Sequence, residues 1–178
     1  MSLIVIRPST EADLAAITAI YAHHVRTSTA TFELEPPSET EMARRRQVLV
    51  DRGLPWLVAE LNGEVVGYAY AGPYRTRPAY DWTVEDSIYV RHDRTGLGIG
   101  RALLEPLVQR ATAMGYRQMV AVIGGGAADN PGSAALHLAC GFHKVGELEA
   151  VGWKFGRWVD SLMMQRPLGA GTTEPVKA

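Results

Sequence analysis

The segment Thr95-Gly-Leu-Gly-Ile-Gly100 carries three glycines at alternate positions. Residues 87–90 before it read as the end of a strand, and residues 102–111 after it carry apolar side chains at helical spacing. Glycines leave backbone N–H groups accessible, and a helix N-terminus bears a partial positive charge. The segment therefore predicts a site for a phosphate-bearing ligand. The alternative is a tight strand-to-helix turn without a ligand.

Two common phosphate-binding motifs do not fit this segment. A P-loop ends in Gly-Lys followed by Ser or Thr, whereas this segment continues as Ile99-Gly-Arg101. A dinucleotide-binding fold places an acidic residue about 20 positions after its glycines, and residues 111–128 contain no acid. Both of these ligand classes are therefore disfavoured.

Two residues are candidates for moving protons. Glu85 lies on the predicted strand that leads into the glycines, and a carboxylate there can act as a general base. A lone strand glutamate can instead be exposed or form a cross-strand ion pair. His137 is a candidate because histidine titrates near neutral pH, although its apolar neighbours Leu136 and Leu138 equally suit a packed or exposed side chain.

Two cations lie on the loop before the Glu85 strand. Arg75 and Arg77 are candidates for binding a substrate carboxylate, because a guanidinium group binds carboxylate through two hydrogen bonds. Simple solvation is the alternative for both. Phe32 and Tyr80 are candidates for the pocket wall, or they belong to the ordinary core.

The composition is that of one ordinary globular domain. The 178 residues are 47% hydrophobic and 21% charged, and the net charge of −1 gives no reason to expect a nucleic acid or an acidic membrane as partner. No apolar run reaches membrane-spanning length, and we expect no signal peptide at the start of the sequence. A single cysteine, Cys140, excludes an intramolecular disulfide. We therefore expect a soluble, cytoplasmic protein.

We expect no metal site. The adjacent histidines His23 and His24 point in different directions on a helix. Neither has a cysteine or aspartate at ligand spacing, so an ordinary helical role suits both.

The predicted elements follow the order β-α-α-β-β-β-α-β-α-β-β. Ser38 followed by Glu41 is typical of a capping box, and Asn62-Gly63 predicts a type I′ hairpin. Hairpins mixed with crossover helices indicate an α/β sandwich with a mixed sheet. We expect one domain over residues 1–168 and a disordered tail over residues 169–178. The later predicted strands cover residues 81–90, 118–123, 142–149 and 157–164.

From Ile4 to about Arg166 the chain resembles the Gcn5-related N-acetyltransferase (GNAT) superfamily. Gly98 and Gly100 match the phosphate loop of that superfamily. A later family segment is similar to Asn130, Ser133, Leu136-His137 and Gly141-Phe142.

Longer strings resemble the phosphinothricin and methionine sulfoximine acetyltransferase branch. Three features depart from the superfamily pattern. Thr95 takes the first position of the phosphate loop, with Arg94 displaced by one, and residues 124–129 form a longer, glycine-rich loop. His137 occupies the position where many members of the superfamily carry a tyrosine acid, although a histidine there is similar to this branch. The matching strings are Gly72-Pro-Tyr74, Arg77, Ala79-Tyr-Asp-Trp-Thr-Val-Glu85, Val120-Ala-Val-Ile123 and Gly156-Arg-Trp158.

The resemblance implies an α/β fold with a mixed, mostly antiparallel sheet flanked by helices. It also implies a homodimer that moves acetyl from acetyl-CoA to the α-amino group of a small amino-acid analogue. The implied catalytic residues are Glu85 and His137, and the implied substrate-binding residues are Phe32, Arg75, Arg77 and Tyr80. The implied acetyl-CoA-binding residues are Ile88, Tyr89, Val90, Arg94, Thr95, Gly96, Gly98, Gly100, Arg101, Asn130 and Ser133.

Two other functions stay open. One is acetylation of protein N-termini or polyamines, although a polyamine calls for an acidic pocket and the loop carries Arg75 and Arg77. The other is a non-catalytic module that binds acyl-CoA. Release of free thiol in the presence of an amine separates an enzyme from such a module.

Overall fold

Seven strands form one sheet in the computed structural model, which describes residues 3–176. Their order across the sheet is β1-β2-β3-β4-β5-β7-β6, and every neighbouring pair is antiparallel except β4 and β5. The strands are β1 (Ile4–Pro8), β2 (Trp56–Leu61), β3 (Glu64–Pro73), β4 (Thr83–Val90), β5 (Gln118–Gly124), β6 (His143–Lys154) and β7 (Arg157–Pro167).

Helices cover both faces of the sheet. Helices α1 and α2 pack on one face through Ile17, Tyr21 and Met42, and α3 and α5 pack on the other through Leu103 and Ala134. This arrangement confirms the predicted α/β class with a mostly antiparallel sheet. The helices are α1 (Leu14–Thr27), α2 (Glu39–Asp51), α3 (Ile99–Ala113), α4 (Gly126–Asp129) and α5 (Pro131–Ala139).

Local signals in the sequence fix several element ends. The Ser38 hydroxyl accepts a hydrogen bond from the Glu41 N–H at 3.2 Å, as the capping box predicts. Asn62 and Gly63 both have positive φ, 53° and 82°, as a type I′ turn requires. These two motifs therefore place the start of α2 and the register of the β2–β3 hairpin.

Several predicted boundaries differ from the structure. Strand β4 begins at Thr83 rather than at residue 81, because residues 78–80 form a 3₁₀ turn. Strands β6 and β7 are longer than predicted and meet at a tight turn, Phe155-Gly156, with φ of 52° and 73°. Strand β6 begins one residue later than predicted, at His143. The glycine-rich loop contains a further short helix, α4, which the sequence pattern did not indicate.

The segment expected to be a disordered tail is only partly described. Residues 169–176 contain turns, with the Gly171 N–H donating to the Leu168 carbonyl and the Thr173 N–H donating to the Ala170 carbonyl. Residues 177 and 178 lie outside the described residues, so disorder there stays a prediction.

Within residues 3–176, no helix is long and apolar enough to cross a membrane. The same residues contain no group of three or more His, Cys, Asp and Glu side chains placed to hold a metal ion.

The pairing of β4 with β5 stops partway along both strands. The register runs from Thr83 opposite Gln118 to Asp86 opposite Ala121, but β4 continues to Val90 and β5 to Gly124. Beyond Asp86, one edge of β4 therefore lacks a strand neighbour. A wedge opens in the sheet at this point.

Candidate active site

A cleft of about 670 Å³ lies at the wedge between β4 and β5. This volume is in the usual range for small-molecule sites. The cleft brings together most of the residues predicted for the site: Phe32, Glu85, Ile88, Tyr89, Val90, Arg94, Thr95, Gly96, Gly98, Gly100, Arg101, Asn130, Ser133 and His137. Arg75, Arg77 and Tyr80 are not among its lining residues.

Two backbone hydrogen bonds fix which groups of β4 face the cleft. The Arg91 N–H donates to the Val66 carbonyl at 2.8 Å, and the Thr83 carbonyl accepts from the Tyr74 N–H at 3.4 Å. The backbone groups of Thr83 and Arg91 therefore bond towards β3. In an antiparallel pair of strands, every second residue forms backbone hydrogen bonds with the partner strand. Tyr89, two residues before Arg91, therefore also bonds towards β3. Ile88 and Val90 lie between these positions and direct their backbone groups towards the cleft. The accessible N–H groups expected over residues 88–90 are therefore those of Ile88 and Val90.

The start of α3 is built to receive an anion. Gly96 and Gly98 adopt left-handed conformations, with φ of 76° and 79°, and no side chain caps the helix at Gly98. The first N–H groups of α3 are therefore open to a ligand. A Cβ atom on Gly100 would lie 2.9 Å from Leu136 Cδ2, so this glycine allows α3 to approach α5 closely.

The segment between α1 and α2 is held against the end of β5. Asn130 Nδ2 donates to Thr29 Oγ1 at 3.1 Å and to the Gly124 carbonyl, and Asp129 accepts from Thr29 at 3.1 Å and from Arg157. A Cβ atom on Gly124 would lie 2.2 Å from the Thr29 carbonyl. The glycine-rich loop therefore serves to let this segment approach β5, and Asn130 fastens it there.

Phe32 forms a fixed wall on the same segment. Its ring packs against two glycines: a Cβ atom on Gly124 would lie 2.9 Å from Phe32 Cε1, and one on Gly152 would lie 2.6 Å from Cε2. Lys154, beside Gly152 on β6, is buried and donates from Nζ to the Thr31 carbonyl at 2.7 Å. Burial lowers the pKa of this lysine. The ring therefore has little freedom to move away from the cleft.

Glu85 is half-buried in the cleft, and its carboxyl group has no hydrogen-bond partner among residues 3–176. Burial raises the pKa of its carboxyl to about 7, the negative charge of Asp86 adds to the increase, and the Arg75 guanidinium opposes it. A carboxyl with such a pKa gains and loses protons near neutral pH. This is the property required of a general base.

His137 is buried and bonded at both ring nitrogens. Nδ1 lies 2.7 Å from the Ser133 carbonyl, and Nε2 lies 3.0 Å from Asp86 Oδ2. Burial lowers the pKa of His137, but the bond and charge of Asp86 outweigh it, so the pKa lies above the usual 6.5. Since the Ser133 carbonyl can only accept, Nδ1 carries a hydrogen and donates to it, and Nε2 donates to Asp86 when the ring is protonated. Neither nitrogen is free to exchange a proton with a ligand, so the expected catalytic role of His137 stays an untested prediction.

The three remaining candidates lie outside the cleft. The exposed Arg75 guanidinium carbon lies 5.1 Å from the centre of the Tyr74 ring and 5.9 Å from that of Tyr80. Arg77 is exposed at the start of the 3₁₀ turn before β4. The structure therefore does not bring Arg75, Arg77 and Tyr80 into the cleft lining, and their binding role stays a prediction.

Three residues at the site were missed by sequence reasoning. Asp86 follows Glu85 directly, and strand alternation alone places it on the opposite face of β4. His24 reaches the Val90 carbonyl through Nε2 at 2.9 Å, and Lys154 holds the Phe32 segment. No pattern in the sequence links His24 or Lys154 to the cleft, because both act across long separations in the chain.

The family model described as an acetyltransferase (GNAT) domain matches residues 6–163. The chain belongs to the GNAT acetyltransferase family. This confirms the predicted superfamily, and the relatives described next support the predicted branch.

Relatives of this GNAT protein share most of its length. A phosphinothricin N-acetyltransferase from Alcaligenes faecalis is 54% identical over 161 residues, covering 90% of this chain and 81% of the relative. An L-methionine sulfoximine/L-methionine sulfone acetyltransferase from Pseudomonas aeruginosa is 41% identical over 174 residues, covering 96% and 98%. A solved GNAT phosphinothricin acetyltransferase from Sinorhizobium meliloti in complex with AcCoA has a TM-score of 0.94 at 49% identity, covering 98% of this chain and 93% of that one.

The residues of this GNAT cleft fit acetyl-CoA, the co-substrate of the family. The uncapped start of α3 offers N–H donors for a pyrophosphate. Ile88 and Val90 direct backbone groups towards the cleft, as an amide-bearing arm requires. Asp86 adds a buried oxygen, Oδ1, that has no partner among residues 3–176. An acyl thioester bound here would supply the activated acetyl group.

Proposed function

We propose that this GNAT enzyme acetylates the α-amino group of a small amino-acid analogue of the phosphinothricin, methionine sulfoximine or methionine sulfone type. The single observation that carries the chemistry is Glu85, a cleft carboxylate without a partner whose pKa is raised to about 7. The names of the relatives support the choice of acceptor.

Glu85 acts as the general base. An amine is protonated at neutral pH and must lose a proton before its nitrogen can attack a carbonyl carbon. The ionised Glu85 carboxylate takes that proton, directly or through a water molecule. The backbone N–H groups of Ile88 and Val90 supply donors for the oxygen that gains negative charge during attack. As the carbon–nitrogen bond forms, the carbon–sulfur bond breaks and acetyl passes to the amine. The nitrogen then loses a second proton, and the departing CoA thiolate takes up a proton, directly or through water, to leave as the free thiol.

The acceptor lies on the Glu85 face of the sheet. Phe32 supplies an apolar wall there. Arg75 and Arg77 supply the cations nearest in sequence for the carboxylate of the acceptor, and the charge of Arg75 already acts on Glu85. Tyr80 positions Arg75 through its ring.

The proposed enzyme is a homodimer that acts in the cytoplasm. Trp153 and Trp158 are paired across β6 and β7, and they are 56% and 62% exposed. Val151 and Phe155 are exposed at alternate positions on the same hairpin. An exposed apolar patch of this kind is typical of a protein interface. Light scattering after gel filtration should give a dimer, and Trp158→Asp should give a monomer. A monomeric wild-type protein would contradict the proposal.

Release of CoA thiol from acetyl-CoA tests the function across a panel of amines. Phosphinothricin, methionine sulfoximine and methionine sulfone represent the proposed acceptors, with spermidine and a peptide N-terminus for comparison. Release with one of the first three supports the proposal, and the Glu85→Gln variant should then bind acetyl-CoA without turnover. Release only with spermidine or the peptide would overturn the acceptor. Binding of CoA without release from any amine would favour a non-catalytic module.

A further inference from the structure

Asp86 is held in an unusual way at the base of the cleft. Its side chain is 1% exposed, and Oδ2 accepts the hydrogen bond from His137 Nε2 at 3.0 Å. The second carboxylate oxygen, Oδ1, is buried and has no hydrogen-bond partner among residues 3–176. Both Asp86 and His137 line the cleft. One half of the carboxylate is therefore fixed, and the other half lacks a donor.

A buried carboxylate oxygen without a donor is costly. Removing a charged acceptor from water without replacing its hydrogen bonds opposes folding. The His137 ring bonds to only one of the two carboxylate oxygens. The orphaned oxygen thus indicates that a donor from a ligand completes the site.

The position of Asp86 identifies the side from which this donor comes. Val84 and Ile88, two residues either way along β4, pack against the α3 and α5 face of the sheet. Asp86 shares that face because side chains alternate along a strand. The open start of α3 and the cleft residues Ser133 and Leu136 of α5 lie on the same face. Glu85 and Phe32 belong to the other face, where the acceptor is proposed to bind.

We propose that Asp86 Oδ1 accepts a hydrogen bond from an amide N–H of the pantetheine arm of acetyl-CoA, and that His137 is the positioning residue that holds the carboxylate for this contact. The arm carries two amide N–H donors, whereas the adenine and phosphate groups are expected to lie towards the start of α3. The contact fixes how far the thioester enters the wedge. It does not depend on which amine is the acceptor, so the panel of amines and the test below can fail separately.

Calorimetric binding to Asp86→Asn tests the contact without measuring activity. The asparagine oxygen keeps the bond from His137, and the NH₂ group then meets the amide N–H as a second donor. Loss of a charged hydrogen bond weakens binding by about 10- to 100-fold. We expect this loss for both acetyl-CoA and CoA. Binding of 3′-phospho-ADP, which lacks the arm, should change by less than about twofold.

Glu85→Gln is the matched control, because it removes the neighbouring negative charge on the opposite face of β4. It should leave the affinity for all three ligands within about twofold of the wild type. A comparable loss for all three ligands in Asp86→Asn would show a general structural role and overturn the proposal. A loss for CoA alone would identify the thiol as the donor and would also overturn it, as would no loss at all.

The wild-type protein provides a second measurement that does not depend on the folding of a variant. Acetyl-CoA labelled with ¹⁵N at its two pantetheine amides can be followed by NMR on binding. One amide proton should move downfield, as expected for a hydrogen bond to a carboxylate. If neither proton moves downfield, Asp86 does not accept from the arm.

Discussion

Glu85 and Asp86 are neighbours on β4, but their side chains meet opposite environments. The Glu85 side chain faces the side of α1 and α2 and is half-buried, and its carboxyl group has no hydrogen-bond partner among residues 3–176. Asp86 faces the side of α3 and α5, is almost fully buried, and is hydrogen-bonded to the His137 ring. Two carboxyl groups adjacent in sequence therefore differ in burial and in hydrogen-bond partners.

The difference shows that the partners of a carboxyl group decide its use as much as its burial. Burial without a partner raises the pKa of Glu85 to about 7 and leaves the group able to accept a proton. The hydrogen bond with His137 holds the Asp86 carboxyl group in one orientation. The acceptor side of the wedge, with Glu85, is thus suited to proton transfer. The acetyl-CoA side, with Asp86, is suited to positioning the co-substrate.

The largest expected effect is on the catalytic rate, which the account assigns to Glu85 and not to Asp86. Glu85→Gln removes the base and should lower kcat by about 10²- to 10⁴-fold, while the affinity for acetyl-CoA stays unchanged. Steady-state rates and calorimetry measure the two quantities. Glu174→Gln, at an exposed site near the C-terminus, is the control and should keep full activity. An unchanged kcat in Glu85→Gln would remove Glu85 from the mechanism.

The next effect is on the free energy of unfolding, to which the partner of Asp86 should contribute far more than Glu85 does. His137→Phe keeps a ring but leaves Asp86 charged and unpaired in the interior, which should cost about 3–5 kcal/mol in the free energy of unfolding. Glu85→Gln should change it by less than about 1 kcal/mol. Urea denaturation measures both values. The double variant Asp86→Leu/His137→Phe should recover much of the loss, and equal stability of the two single variants would contradict the comparison.

A smaller effect sharpens the description of the acceptor side. Gly152→Ala places a methyl group where Phe32 packs, since the new Cβ would lie 2.6 Å from the ring. The displaced ring should raise KM for the acceptor by about tenfold and leave KM for acetyl-CoA unchanged. Gly146→Ala is the matched control on β6, because its Cβ meets nothing within 4 Å. Equal changes for both substrates in Gly152→Ala would place Phe32 outside the acceptor site.

The smallest effect concerns the pH dependence. Because Glu85 must be ionised to accept a proton, kcat/KM should rise with pH through a midpoint of about 7. The Arg75 cation favours the ionised form, so Arg75→Gln should move the midpoint upward by a fraction of a pH unit. Arg77→Gln should leave it in place. A downward shift in Arg75→Gln would show that another group controls the profile.

Much of the fold follows from local sequence signals, whereas the site depends on distant contacts. Ser38 and Asn62-Gly63 act within a few residues of themselves, so their structural effects are predictable. The alternation of a strand separates Glu85 from Asp86 without further information. The pairing of Asp86 with His137, 51 residues away, appears only when α5 packs on the sheet.

The packing of Phe32 likewise depends on residues that are distant in the sequence. Nothing near Phe32 in the sequence indicates that Gly124 and Gly152 make room for its ring. The resemblance to a family located the cleft residues on β4 and α3, because those motifs are contiguous. The resemblance did not indicate that both ring nitrogens of His137 have hydrogen-bond partners. Those partners, Ser133 on α5 and Asp86 on β4, are set by the packing of α5 on the sheet.

NMR titration of the wild-type protein tests the central claim most directly, with ¹³C-labelled glutamate and ¹⁵N-labelled histidine in one sample. The account predicts that the Glu85 carboxyl titrates with a midpoint of about 7 and that the His137 ring titrates above 6.5. In Asp86→Asn, both midpoints should fall, because the negative charge that raises both pKa values is lost. A Glu85 midpoint near the ordinary 4.5, together with a His137 midpoint below 6.5, would contradict the division of roles between the two faces of β4.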